Sequence, residues 1–315
     1  VAHVYCVIIG FAAFDVPAKP LYDYETPAGE PMEIRAKNIN PYLVDADDIV
    51  ITSRNRPLQS VPEMVKGSQP TDDANLLLTD DEKNKLLSME PTAEKYIKPL
   101  ISAHEFLNGK NRWCLWLKDF SPTGIRTMPE LMKRVHAVRE FRLKSRKVAT
   151  QKLADTPYLF AEIRQPTSSY VLVPRHSSEA RRYVPMAFFS KDYIVSDSCT
   201  ALPDASLYHF GVLTSIMHMA WMRQVCGRLK SDYRYSNSLV YNNFPWPETP
   251  SSDRQERVVK AARQILDVRA EFADSTLADL YDPDAMPKQL LDAHRALDVA
   301  VDLCYRPAAF KTELE

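Results

Sequence analysis

The residues with the clearest capacity for chemistry form a short alternating run, Arg228-Leu229-Lys230-Ser231-Asp232-Tyr233-Arg234-Tyr235. In an extended chain successive side chains point to opposite faces, so Lys230, Asp232 and Arg234 share one side and Ser231, Tyr233 and Tyr235 the other. A lysine can donate to guanine O6 and N7, and an aspartate can accept from the cytosine amino group. A cation–anion–cation order therefore suits the major-groove edge of a G·C pair. The same order also fits a salt-bridged surface strand, and the residues alone leave both readings open. A second basic feature lies upstream. Between Leu131 and Lys152, Lys133, Arg134, Arg139, Arg142, Lys144, Arg146, Lys147 and Lys152 stand against one acid, Glu140. As a single helix this stripe would run for about 30 Å. It suits sequence-independent contact with backbone phosphates, or simply a solvated helix face.

Other chemistries find little support. The chain has only 7 glycines, all isolated, so no Gly-rich loop is present to cradle a phosphate, a dinucleotide or S-adenosylmethionine. No Cys-x-x-Cys occurs, and no two histidines sit one helical turn apart with an acid between them, which argues against a zinc site. His209 and His218 read as core residues. Asp155 with Glu162-Ile163-Arg164 is faintly similar to a nuclease carboxylate spacing, but an arginine stands where a lysine is wanted. Asn40-Pro41-Tyr42 and Asn243-Phe244-Pro245-Trp246 depart from the Asn-Pro-Pro-Tyr loop of amino-methyltransferases and read as turns.

Composition sets the frame for these residues. With 315 residues, 45% hydrophobic and 26% charged, the chain has the size for two or three packed units and ordinary globular usage. A net charge of −1 excludes a uniformly basic nucleic-acid binder while leaving room for local stripes. Five scattered cysteines in apolar surroundings suit a reducing compartment, the cytoplasm. No apolar run approaches the length of a membrane span, so no membrane partner is expected.

The elements that must position the basic features read as an α+β chain. It has a mixed-sheet domain with long helices, followed by a small helical C-terminal domain. Residues 4–11 form a doubly apolar run that suits a buried strand. A proline-rich linker covers 17–31. A helix starts at Asp80 behind acidic residues, a strand covers 113–117, and Pro129 opens a helix to about residue 152. Strands are expected over 158–164, 170–174 and 186–196, then one long apolar helix over 206–228. The prolines of Phe244-Pro245-Trp246-Pro247-Glu248-Thr249-Pro250 mark the main boundary. Two amphipathic helices follow, over 252–272 and 288–304.

Several of these segments recur together in one family. They are residues 4–11, the loop from Gly67-Ser68-Gln69-Pro70 to Leu76-Leu77-Leu78, residues 113–117 and Met222-Arg223-Gln224-Val225-Cys226-Gly227-Arg228-Leu229. Tyr233-Arg234-Tyr235-Ser236 and Tyr241-Asn242-Asn243-Phe244-Pro245-Trp246-Pro247 complete the set. In this order they resemble the C-terminal part of MmeI-like (type IIL) restriction–modification proteins, which join an endonuclease, an adenine-N6 DNA methyltransferase and a target-recognition domain in one chain. The resemblance covers essentially all 315 residues.

The resemblance implies that residues 1–20 hold the last methyltransferase strand and a linker. It makes 21–247 the DNA target-recognition domain and 248–315 a truncated helical C-terminal domain, with a further helix to follow Lys311. It implies that the Lys230 and Asp232 positions form a specificity pair for one base pair, with Arg234 similarly engaged, and that Lys with Asp favours guanine on the read strand. Lys133, Arg134, Arg139, Arg142, Lys144, Arg146 and Lys147 become candidate phosphate contacts. The partners implied are double-stranded DNA and the methyltransferase and nuclease domains of the same longer chain. S-adenosylmethionine and Mg2+ belong to those domains, and no cofactor, metal or catalytic residue is expected within these residues, which should neither methylate nor cut alone. The rival expectation is a protein-interaction or structural module without DNA specificity, docking a partner through the helix that carries Met217, Met219 and Met222 and through the C-terminal helical hairpin. A core that enclosed those methionines would count against it.

Overall fold

The computed structural model describes residues 7–24, 29–119 and 122–312. The chain is α+β, with small sheets followed by a helical C-terminal part. One four-stranded sheet runs in the order Ile194–Val195, Ile97–Ile101, Trp113–Leu115, Leu77–Leu78. It is mixed, since Ile194–Val195 pairs parallel with Ile97–Ile101 while the other pairs are antiparallel. Helix Asp80–Met89 forms because Thr79 caps it. The Thr79 hydroxyl accepts from Glu82 N, and Glu82 accepts in return from Thr79 N at 2.9 Å. Helix Pro129–Leu143 covers the same core with Leu131, Val135 and Val138, packed with Leu78, Leu86 and Leu115. Its uncapped start is satisfied from 41 residues away, where Glu90 accepts from Leu131 N at 3.1 Å.

A second, antiparallel sheet runs in the order Val65–Lys66, Cys199–Pro203, Tyr170–Pro174, Ala187–Phe189. Tyr170–Pro174 is buried along its whole length. A strand does not form over 158–164. Only an isolated bridge joins Gln69 to Glu162, and Phe160 in this segment packs inward against Trp116, with ring centroids 5.1 Å apart. The run over 186–196 likewise splits into Ala187–Phe189 and Ile194–Val195.

The apolar run over 206–228 is two helices, Leu207–Thr214 and Ile216–Val225. Ser215 breaks them with an extended backbone (φ −79°, ψ 163°), and its hydroxyl donates back to Val212 O at 2.7 Å. The start of the second helix is capped from afar, Asp298 accepting from Ile216 N at 2.7 Å. Asp298 also accepts from the Tyr183 hydroxyl at 2.7 Å.

The two expected C-terminal helices are present as Ser252–Glu271 and Lys288–Tyr305. They share one continuous core with the elements before the proline boundary, including Phe210, Leu213, Val258, Ile265, Leu297 and Val301. Gly211 permits the close approach, since a Cβ there would lie 2.7 Å from Val258 Cγ1. Met219 and Met222 are each 1% exposed in this core, and Met217 packs against it half-buried. Met219 and Met222 are therefore interior packing, while Met217 keeps part of its surface open.

The first residues depart from expectation. Residues 4–6 lie outside the described residues, and Val7 to Phe11 form no strand. Ile8 and Phe11 are almost fully exposed, and no neighbouring strand among the described residues satisfies their backbone. The proline-rich segment carries more order than a linker, because Lys19–Asp23 pairs antiparallel with Met32–Ala36. Among the described residues no helix is long and apolar enough to cross a membrane.

Candidate nucleic-acid interface

The alternating run folds as a hairpin directly after helix Ile216–Val225. Gly227–Leu229 pairs antiparallel with Asp232–Arg234, and Lys230-Ser231 forms the two-residue turn. The expectation of one extended segment carrying three charges on one side is therefore corrected. The chain reverses at Lys230, whose φ of 57° is left-handed. That conformation costs a non-glycine residue about 1 kcal/mol or more and is often found where function demands it. Asp232 and Arg234 do share a face, and all three charged residues are exposed.

The other face is anchored. Tyr233 is 3% and Tyr235 1% exposed, and the Tyr235 hydroxyl meets buried His218 Nε2 at 3.0 Å. Arg228 clamps the turn. Its guanidinium lies 4.0 Å over the Tyr233 ring and donates to Ser231 O at 3.0 Å. A third strand, His176–Ser177, lies on the far side of Asp232–Arg234, with Arg234 opposite His176 and Tyr233 opposite Ser177. Arg175, next to it, donates through Nη1 to Asp197 O at 2.9 Å. Burial lowers the pKa of the His176 ring, helped by the charges of Arg175 and Arg234 and opposed by Asp232.

His176 and Arg181 are not singled out by the sequence patterns above. Arg181 is half-buried with its Nε unpartnered, and both Asp232 and Asp282 act electrostatically on its guanidinium. The available signal was the basic run Arg175-His176-Ser177-Ser178-Glu179-Ala180-Arg181-Arg182, which directly follows a fully buried strand.

The basic stripe is not one helix. It divides into Pro129–Leu143 and Val148–Lys152, and its members differ. Arg142 is excluded as a phosphate contact because it is 0% exposed. It donates five hydrogen bonds to main-chain carbonyls, those of Thr71, Leu153, Thr156, Pro70 and Leu159. It is the structural hub of two loops. Arg134 is half-buried, paired with Glu82 at 2.8 Å and donating to Asn75 O and Leu77 O, so it too is committed internally. Lys133 is exposed and pairs with Glu130 on its own helix. Arg139, Lys144, Arg146 and Lys147 are exposed, and Arg139 borders a cleft floored by Ile125, Met132, Val135 and Tyr158, with Arg126 and His136 also lining it.

Among the described residues no three His, Cys, Asp or Glu side chains cluster as a metal site. The free cysteines Cys114, Cys199, Cys226 and Cys304 are buried, and burial raises each thiol pKa, that of Cys226 to about 11. They are packing residues, not nucleophiles.

This arrangement, an exposed charged hairpin fixed on a core shared with the C-terminal helices, has clear relatives. Residues 45–248 match the family described as "MmeI, target recognition domain", and residues 251–315 match "MmeI, C-terminal domain". The chain belongs to the MmeI target-recognition-domain family. It is 38% identical over all 315 residues to DNA methyltransferase A of Bacillus subtilis (strain 168), covering 35% of that protein. It superposes with a TM-score of 0.90 and 44% identity on the type IIL restriction–modification enzyme MmeI, solved in complex with DNA, over 96% of this chain and 40% of that one. The chain thus spans well under half the length of either relative.

Proposed function

We propose that the chain is the part of a DNA methyltransferase that recognises the target sequence in double-stranded DNA. Residues from about 21 to 247 form the reading domain, and 248 onward form the helical C-terminal domain that braces it. The observation that carries this reading is the exposed, rigidly anchored Lys230/Asp232/Arg234 hairpin, in a fold that overlays a relative solved with DNA. In the proposed pose the hairpin enters the major groove, which admits a two-stranded ribbon. Lys230 donates to guanine, Asp232 accepts from the paired cytosine, and Arg234 extends the contact. Arg139, Lys144, Arg146 and Lys147 neutralise phosphates. Adenine-N6 methylation, cleavage, S-adenosylmethionine and Mg2+ belong in this proposal to a longer chain working in the cytoplasm.

Selection from a randomised duplex pool tests it. The chain should enrich a defined motif of several base pairs, with affinity that falls steeply as salt rises. Retention of all duplexes equally, or of none, would remove the reading.

A further inference from the structure

The three-stranded sheet at the hairpin presents one more side chain than the charged run itself. Residues directly opposite in an antiparallel ladder project to the same face, with Cβ atoms about 5 Å apart. Arg234 lies between Gly227 on one side and His176 on the other. The neighbouring rung, Arg228, Tyr233 and Ser177, faces the opposite way, and Tyr233 and Ser177 are buried there. His176 therefore stands on the outward face with Asp232 and Arg234. Gly227 contributes no side chain, so His176 is the one ring set directly beside Arg234 in the ladder. Neither ring nitrogen of His176 has a hydrogen-bond partner among the described residues.

We infer that His176 is a further base-reading residue, its imidazole N–H donating to N7 of a purine next to the base pair read by the hairpin. Neighbouring strands are spaced about 4.8 Å apart, so a side chain one strand over reaches the adjacent step of the base stack. N7 is the major-groove acceptor that adenine and guanine share and pyrimidines lack, so the contact separates purine from pyrimidine. Burial and the two flanking arginines keep the ring neutral near pH 7, with one donor and one acceptor. A neutral ring is a poor phosphate counter-ion, which favours a base edge over the backbone. A packing role would be served as well by a β-branched residue, which suits a strand better than histidine.

The inference rests on the DNA-reading proposal above, and duplex-pool selection separates the two. His176→Val and His176→Gln are compared with the parent chain, with equal urea midpoints as the folding control. His176→Val should leave one purine position indifferent, beside the position governed by Lys230 and Asp232. Preference there should fall about tenfold, the worth of one hydrogen bond to a base. His176→Gln, which retains a donor, should keep part of that preference. A motif unchanged in His176→Val overturns the inference alone. So does uniform weakening on every sequence with a shallower salt dependence, which would mark a phosphate contact. Failure of the parent chain to enrich any motif overturns both.

Discussion

Acidification should destabilise this fold well above the range where carboxylates normally titrate. His218 and His294 are both fully buried, and burial holds each ring at a pKa of about 3, against an ordinary value of 6.5. A histidine whose folded pKa is depressed stabilises the fold fully above its unfolded pKa, and that contribution is lost as pH falls from 6.5 towards 3. At pH 5.0 the unfolded chain gains about 2 kcal/mol from protonating each ring, so the pair costs about 4 kcal/mol relative to pH 7.5. His176 and His209, also lowered, act in the same direction. Asp298 opposes them. Burial raises its pKa from 3.8 to about 6, so its contribution is present below 3.8 and lost as pH rises through 6. At pH 5.0 it returns about 1 to 1.5 kcal/mol. Asp72 and Asp302, raised by burial, add in that sense. The net expectation is a loss of about 2 to 3 kcal/mol between pH 7.5 and 5.0. Urea unfolding followed by tryptophan fluorescence measures it. His218→Gln, which can still bond the Tyr235 hydroxyl but cannot titrate, should remove about half of the histidine-driven loss. A midpoint that stays constant or rises on acidification would refute the reasoning.

Three further outcomes follow from particular contacts. Arg142→Lys should cost about 3 to 5 kcal/mol in urea unfolding, because an ammonium cannot satisfy five carbonyls spread around a planar guanidinium; Arg139→Ala should change stability by less than about 0.5 kcal/mol. Gly211→Ala should cost about 1 to 3 kcal/mol by the same assay, since the new methyl meets Val258 at the crossing of three helices, and an unchanged midpoint would contradict that packing. Replacing Arg139, Lys144, Arg146 and Lys147 by alanine should flatten the logarithmic salt dependence of duplex binding by about 0.9 for each phosphate no longer neutralised, leaving the preferred motif unaltered.

Local signals carried much of this fold, and distant partners hid the rest. The Asp80–Met89 helix and the two C-terminal helices are legible because a capping residue or an apolar stripe lies within each segment. The break at Ser215 is not, because the sequence stays apolar across it and the capping carboxylate of Asp298 comes from 82 residues beyond Ile216. Burial of Arg142 was legible in part. It continues the Leu131, Val135, Val138 stripe at the next helical step, a position that a count of charges ignores. Alternation around Tyr233 and Tyr235 marked the buried and the exposed face, yet Lys230-Ser231 lacks the Gly, Asn or Asp that announces a hairpin turn, so the reversal was hidden. His176 reaches the same face only through strand pairing between residues more than fifty positions apart, which no single-segment pattern records.

In the proposed pose Lys230 and Asp232 sense the two halves of one base pair. Exchanging their roles by Lys230→Glu with Asp232→Arg moves the acceptor to the first position and the donor to the second. Duplex-pool selection with this double variant should return the parent motif with guanine and cytosine exchanged between strands at one position and every other position kept. An unchanged motif at full binding strength would contradict the account.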